Sequence, residues 1–230
     1  MGSPITTVRT AFRPAEHGFP FPNCFPCGTP VWTFRTPFGR VPIGDAGKGL
    51  CGGMVFAARD YQLAGRPVPR NPEAPGLHAY LARRLWHSFG VPWGVTRIYQ
   101  WMTRPDAAPG YPAGTVPYLT AKREWPKVRA ALDRGEPVPL MLIKTDSRNP
   151  WDMGLNHQVL ATGYDAAGEA GDVALQIYDP NYPIGGPGDE DVTLRFDVGE
   201  CAGRRVVHSR EGDSVRGFFA NRYTPVRPPR

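Results

Sequence analysis

CGGMVFAARDYQLAG, residues 51–65, marks the point where the chain changes character. Met54, Val55, Ala57, Ala58, Tyr61 and Ala64 recur at helical spacing, and Gly65 is placed as a C-terminal stop. The spacing predicts a helix over about 51–64 that begins at a cysteine. A thiol in the first turn of a helix faces unpaired backbone N–H groups and the positive end of the macrodipole. Both favour thiolate over thiol and draw the pKa from about 8.5 toward neutrality or below. Gly52 and Gly53 read as room for a substrate backbone beside the sulfur. The competing reading of Cys51 is a small buried residue packed at a helix start.

N-terminal to this stretch, residues 1–49 are too rich in Pro and Gly for a helix and read as an extended arm, with Val31–Phe34 as one short strand. C-terminal to it, Leu77, Tyr80, Leu81, Leu85 and Trp86 form one stripe of a second helix over 76–89. A third helix is expected over 94–104, ended by Pro105, and a fourth over 123–134, stopped by Gly135. From there the period becomes that of strands: 137–146, 157–165, 173–180, 191–198 and 214–223 are β-branched or aromatic runs bounded by turns. Helices first and strands later predict an α+β fold with an antiparallel sheet. The expected organisation is a single domain over 1–230, with an arm (1–49), a mainly helical part (50–135) and a mainly β part (136–230).

Composition bounds the function classes. The 230 residues are 41% hydrophobic and 21% charged, enough for a sizeable core. The 27 Pro and 27 Gly are spread throughout, which suggests long ordered loops. The net charge of +6 is carried by scattered Arg and Lys, not by a basic stripe interleaved with aromatics, so no nucleic-acid partner is expected. No run of 18 apolar residues exists and the N-terminus lacks an apolar secretory segment, so the expected setting is cytoplasmic, or that of a mature form whose signal has been removed or that is secreted by another route, without a membrane. The oligomeric state is not encoded in any pattern.

Two later residues complete a constellation. His157 begins a strand after the loop SRNPWDMGLN, where a side chain can project from the sheet's end. An imidazole there can deprotonate a thiol and later protonate a leaving amine. Asp179 ends the next strand, LQIYDP, where antiparallel pairing brings it near His157, and a carboxylate accepting the imidazole N–H fixes tautomer and orientation. Asn181 is a secondary candidate for the orienting role, although turn chemistry also explains it.

GLCGGM with its following helix, NHQVLATGYD and LQIYDPNYP resemble the Cys, His and Asp motifs of papain-like cysteine peptidases, most of all the branch of bacteriocin-processing, double-glycine leader peptidases. The resemblance covers three blocks between about 45 and 183. It implies a papain-like fold, in which the nucleophile helix packs on a C-terminal antiparallel sheet, together with thioester chemistry on a peptide or protein substrate and no cofactor. It carries over Cys51 as nucleophile, His157 as base and Asp179 as orienter. The chain departs from the pattern at Asp45, six residues before the cysteine, where such enzymes usually hold a Gln that stabilises the oxyanion. An ionised carboxylate there would repel the developing charge. Asn23 and the Cys51 backbone N–H are the other oxyanion candidates. Departure at that position also supports a catalytically inactive peptide-binding module, and a toxin or effector deamidase or protease domain shares the same first half-reaction.

The remaining cysteines are Cys24, Cys27 and Cys201. Cys24-x-x-Cys27 supplies two ligands where a structural zinc site needs four, and sequence does not bring His17 and Cys201 beside it, so no metal is expected, while the spacing also allows a local disulfide or a redox pair. Trp86, Trp93, Tyr99, Trp101, Tyr111 and Tyr118 are expected to pack as core between helices and sheet.

Overall fold

The computed structural model describes residues 5–26, 32–36, 39–43, 49–168, 171–183, 192–199 and 206–229. Cys27, Asp45 and Cys201 lie outside these described residues. Six α-helical segments are present among them: α1 (Pro14–His17), α2 (Cys51–Leu63), α3 (Leu77–Ser88), α4 (Trp93–Met102), α5 (Val116–Tyr118) and α6 (Trp125–Asp133). A π-helical segment, Leu119–Glu124, joins α5 to α6. The strands are β1 (Ile5–Arg9), β2 (Trp32–Thr36), β3 (Gly39–Ile43), β4 (Val138–Ile143), β5 (His157–Ala167), β6 (Asp172–Tyr178), β7 (Val192–Asp197), β8 (Val206–His208), β9 (Gly212–Val215) and β10 (Gly217–Ala220). None of the described helices is long and apolar enough to cross a membrane.

Helices and antiparallel strands are mixed as the periodicities predict. The main sheet runs β10-β4-β5-β6-β7-β8-β9, while β2 and β3 form a separate antiparallel pair. Because β9 and β10 are separated only by Arg216, the two ends of the strand order meet at that residue and the sheet curls around its own core. One face supplies that core: Leu140 and Leu142 of β4, Val159 and Ala161 of β5, Leu175 and Ile177 of β6, and Leu194 of β7 pack with Val215 and Phe218. Alternate residues turn outward, as a pleated strand requires. Met141 and Ile143 meet Ile98, Trp101 and Met102 of α4, while Leu160 and Tyr178 meet α2. Strand β5 is therefore covered on both faces.

Helix α2 is buried nearly all round, including Gly52 to Ala58, Asp60 and Tyr61. A helix apolar on every side belongs in an interior. The Gly52–Gly53 pair is what lets α3 approach. A Cβ at Gly53 would overlap the Leu81 carbonyl, and one at Gly52 would overlap the Ser88 hydroxyl and the Gln158 amide. The pair therefore serves helix packing, in place of the substrate clearance expected from sequence.

Three further expectations change. The N-terminal arm contributes β1, which pairs with the second half of β5 from Ile5↔Ala167 to Arg9↔Gly163, and it seats Phe12, Phe19, Phe21 and Phe25 against α2. Full burial of each ring is worth about 1.5–3 kcal/mol relative to exposure. The run 214–223 is not one strand. It breaks at Arg216, whose guanidinium is buried and donates to the carbonyls of Met102, Thr145 and Arg104 while pairing with Asp106. The mid-chain aromatics are not uniformly core: Trp101 is buried, whereas Trp86, Trp93 and Tyr111 are exposed.

Candidate active site

Three elements bring their ends together on one side of the sheet. Cys51 is the first residue of α2, His157 the first of β5, and Asp179 follows directly on β6, which pairs with β5 through Leu160↔Tyr178. The entry to β5 is pinned by Asn156, whose Oδ1 accepts from the Lys144 and Thr145 N–H groups at 3.0 and 3.4 Å. The residues read from sequence as nucleophile, base and orienter are thus neighbours. His157 Nε2 donates to Asp179 Oδ1 at 2.7 Å. Its ring also lies beside the Cys51 sulfur and acts on it by charge, with Nδ1 left to face it once Nε2 is committed to the carboxylate. The Gln158 and Gly52 backbones also favour the anionic sulfur.

The electrostatics follow from this geometry. Burial pushes the Cys51 thiol up, but the His157 charge and the polar groups of His157, Gln158 and Gly52 around the sulfur outweigh it, so the thiol lies below its ordinary value. For His157, burial works against the charged ring, while Asp179, by charge and hydrogen bonding, and then Cys51, by charge, favour it, raising it to about 10. Asp179 is nearly inaccessible. Burial alone would raise its carboxyl, yet the His157 charge and bonds from His157, His208 and the Asn181 N–H hold it well below the usual carboxylate range. A thiolate beside an imidazolium, itself seated on a carboxylate, is the state these shifts describe.

Asn181 and Asn23 are both beside this trio. Asn181 gives its backbone N–H to Asp179 Oδ1 at 2.8 Å, and its side-chain Oδ1 accepts from Asn23 Nδ2 at 3.1 Å. Asn23 Oδ1 in turn accepts from the Leu50 N–H at 2.5 Å, and its own N–H donates to the Pro180 carbonyl at 2.8 Å. Helix α2 has no side-chain cap of its own at Leu50, so Asn23 takes that place from a distance and ties the nucleophile's helix to the segment bearing Asp179. Among the described residues, no group of three or more His, Cys, Asp and Glu is arranged to hold a metal. Cys24 is an exposed free thiol and His17 Nδ1 is occupied by the Arg13 N–H.

Comparison of the chain with protein-family models, with curated proteins and with solved structures finds no match. The site therefore has to be read from its own chemistry.

Two residues escaped the sequence reading. His208, at the end of β8, donates from Nε2 to Asp179 Oδ2 at 3.1 Å and is buried. The available signal was the alternation in Val206-Val207-His208, which sets His208 on the same inward side as Val206. Gln158 lies behind Cys51: its side chain donates to Ser88 Oγ at 2.9 Å and accepts from Asn221 Nδ2 at 3.0 Å. As a strand residue next to His157, it gave no sign of contact with a helix and the C-terminal segment.

Proposed function

We propose that this chain is a thiol-dependent hydrolase or acyltransferase of papain-like arrangement, acting on a peptide or amide bond through a thioester on Cys51. The observation that carries the reading is the placement of Cys51 at the start of a buried helix beside a His157 ring that favours its thiolate and is itself hydrogen-bonded to Asp179. The order of the three along the chain, with α2 packed on one face of the curled sheet, supports the papain-like part.

The chemistry follows from those groups. The Cys51 thiolate attacks the carbonyl carbon, and the carbonyl π pair moves to oxygen. First-turn N–H groups of a helix point toward such a site, and the Cys51 N–H is the donor we assign to the oxyanion. When the tetrahedral centre collapses, the C–N bond breaks and the His157 imidazolium gives its proton to the departing amine nitrogen. Water, or an acceptor amine, then attacks the thioester while His157 takes back a proton. The C–S bond breaks and the thiolate returns. Which acceptor wins is a matter of access at the acyl-enzyme stage.

Intact-mass spectrometry of the whole chain tests the reading. Incubation with iodoacetamide at pH 6 is expected to add one carbamidomethyl group, mapped to Cys51 and absent from Cys51→Ala, well before Cys24 reacts. Incubation with a peptide or amide library is expected to leave an acyl adduct at the same residue. Equal labelling of Cys51 and the exposed Cys24 would remove the basis of the proposal.

The pH dependence separates the two halves of the chemistry. Alkylation needs only the thiolate, so its acid limb is expected below that of a free thiol, with no alkaline decline. Turnover also needs the imidazolium proton. It is expected to fall on the alkaline side as His157 loses that proton at about 10. Alkylation and turnover with the same alkaline limb would contradict the assignment of His157 as proton donor.

A further inference from the structure

The Asp179 carboxylate is held at both oxygens. Oδ1 receives His157 Nε2 at 2.7 Å and the Asn181 N–H at 2.8 Å, while Oδ2 receives His208 Nε2 at 3.1 Å. With Oδ1 alone engaged, the group could swing about its Cβ–Cγ bond and carry its hydrogen bond to His157 out of line. With Oδ2 tied as well, its plane is fixed.

The His208 proton is itself placed by the backbone. The Arg210 N–H donates to His208 Nδ1 at 3.2 Å, so Nδ1 presents a lone pair and the ring proton resides on Nε2, aimed at Asp179. The ring is 1% exposed and packed against Tyr182 with centroids 5.7 Å apart. Its backbone is set by pairing with Leu194 and by the Glu211 N–H, which donates to the His208 carbonyl at 3.1 Å. Tyr182 is anchored in turn, its N–H on the Asp179 carbonyl at 3.0 Å and its hydroxyl on Glu211 Oε1 at 3.2 Å. Tautomer, ring plane and strand position all converge on one bond. A purely space-filling role would need none of them.

We propose that His208 is a positioning residue of the thiol site: it locks the plane of the Asp179 carboxylate, and through it the ring of His157, making a hydrogen-bonded His157–Asp179–His208 series beside Cys51. The proposal rests on the reading of Cys51 and His157 as the reacting pair. His208 touches neither of them in the chemistry and acts only through Asp179.

The test compares His208→Met with His208→Gln in the full chain. The two side chains have nearly the same length and shape, but only Gln offers an N–H to Oδ2. The readout is the rate of Cys51 alkylation by iodoacetamide across pH 5–9, followed by intact mass, with thermal melts alongside. The Met variant is expected to react about 10-fold more slowly at pH 6, since small misplacements of reacting groups cost on this scale. Its acid limb should move up toward that of a free thiol. The Gln variant should stay within about threefold of the parent, in keeping with a role that depends on the donor and not on shape. Equal losses in both variants, tracking their melting temperatures, would reduce His208 to a packing role, and no change in either would also overturn the proposal. Should the Met variant fail to fold, nitrogen-15 spectra of the parent chain decide: His208 is expected to carry its proton on Nε2, and an Nδ1–H tautomer overturns the proposal. A parent chain whose Cys51 behaves as an ordinary thiol sinks the underlying function and this inference together, whereas an activated Cys51 that ignores the Met substitution sinks the inference alone.

Discussion

With His157 replaced by Ala, Cys51 is expected to lose its reactivity at pH 6 and the chain its amide turnover. In the variant, the burial that raises the thiol is no longer opposed by the His157 charge. A thiol of ordinary pKa, about 8.5, is only about 0.3% thiolate at pH 6. The thiolate that does form is more basic and a stronger nucleophile, with a Brønsted slope of about 0.4–0.5, which recovers part of the rate. The net expectation is a fall in alkylation of about 10- to 100-fold at pH 6, shrinking as the pH rises. Turnover suffers more because no group remains to protonate the leaving amine, and a loss on the order of 10⁴-fold is expected. Alkylation kinetics and amide hydrolysis measured on the same folded preparation check both parts. An unchanged alkylation rate at pH 6 would mean that the helix start alone activates the sulfur, and His157 would lose its role.

The trio was legible because each member sits at the end of a regular element whose period is visible. Cys51 opens a helix flagged by Met54, Val55 and Tyr61, while His157 and Asp179 bound two strands that follow one another and must therefore pair. Topology then does the rest. What could not be read depends on contacts between distant segments. Strand β1 is mostly exposed and carries no alternating apolar signature; it exists because the second half of β5 offers a free edge. The break at Arg216 is set by carbonyls from two other segments. An Arg in a strand-like run shows none of that. His208 belongs to the same class, since its partner Asp179 is 29 residues away.

Asp60 of α2 and Arg84 of α3 are charged, yet their side chains are 0% and 1% exposed and form a buried pair with Arg84 Nε 2.7 Å from Asp60 Oδ2. The pair is where the two helices and the C-terminal segment meet. Asp60 Oδ2 accepts from the Tyr80 hydroxyl at 2.7 Å, and Oδ1 accepts from the Tyr223 hydroxyl at 2.7 Å and the Val226 N–H at 2.9 Å. Arg84 gives a further bond to the Thr224 carbonyl at 3.0 Å and lies over the Phe56 and Tyr223 rings at 5.0 and 5.6 Å. One carboxylate thus organises residues from three parts of the chain, on the same helix that presents Cys51.

Asp60→Ala is accordingly expected to be the most damaging single change outside the site. It removes the acceptor from two tyrosine hydroxyls and one backbone N–H and leaves the Arg84 guanidinium buried without its counter-charge. Breaking a buried pair from one side costs about 3–5 kcal/mol, against a total stability of about 5–15 kcal/mol for a domain. The urea midpoint should drop steeply, with the C-terminal segment from Asn221 onward becoming accessible to protease at denaturant concentrations the parent tolerates. Removing both charges tests the cause. Asp60→Leu combined with Arg84→Met replaces the pair with apolar groups and should be more stable than Asp60→Ala alone, because no orphan charge is left inside. It should not recover the parent's value, since the Tyr80 and Tyr223 hydroxyls and the Val226 N–H still lack their acceptor. A double variant less stable than Asp60→Ala would show that the cost lies in lost packing of the Arg84 stem, and not in the uncompensated charge.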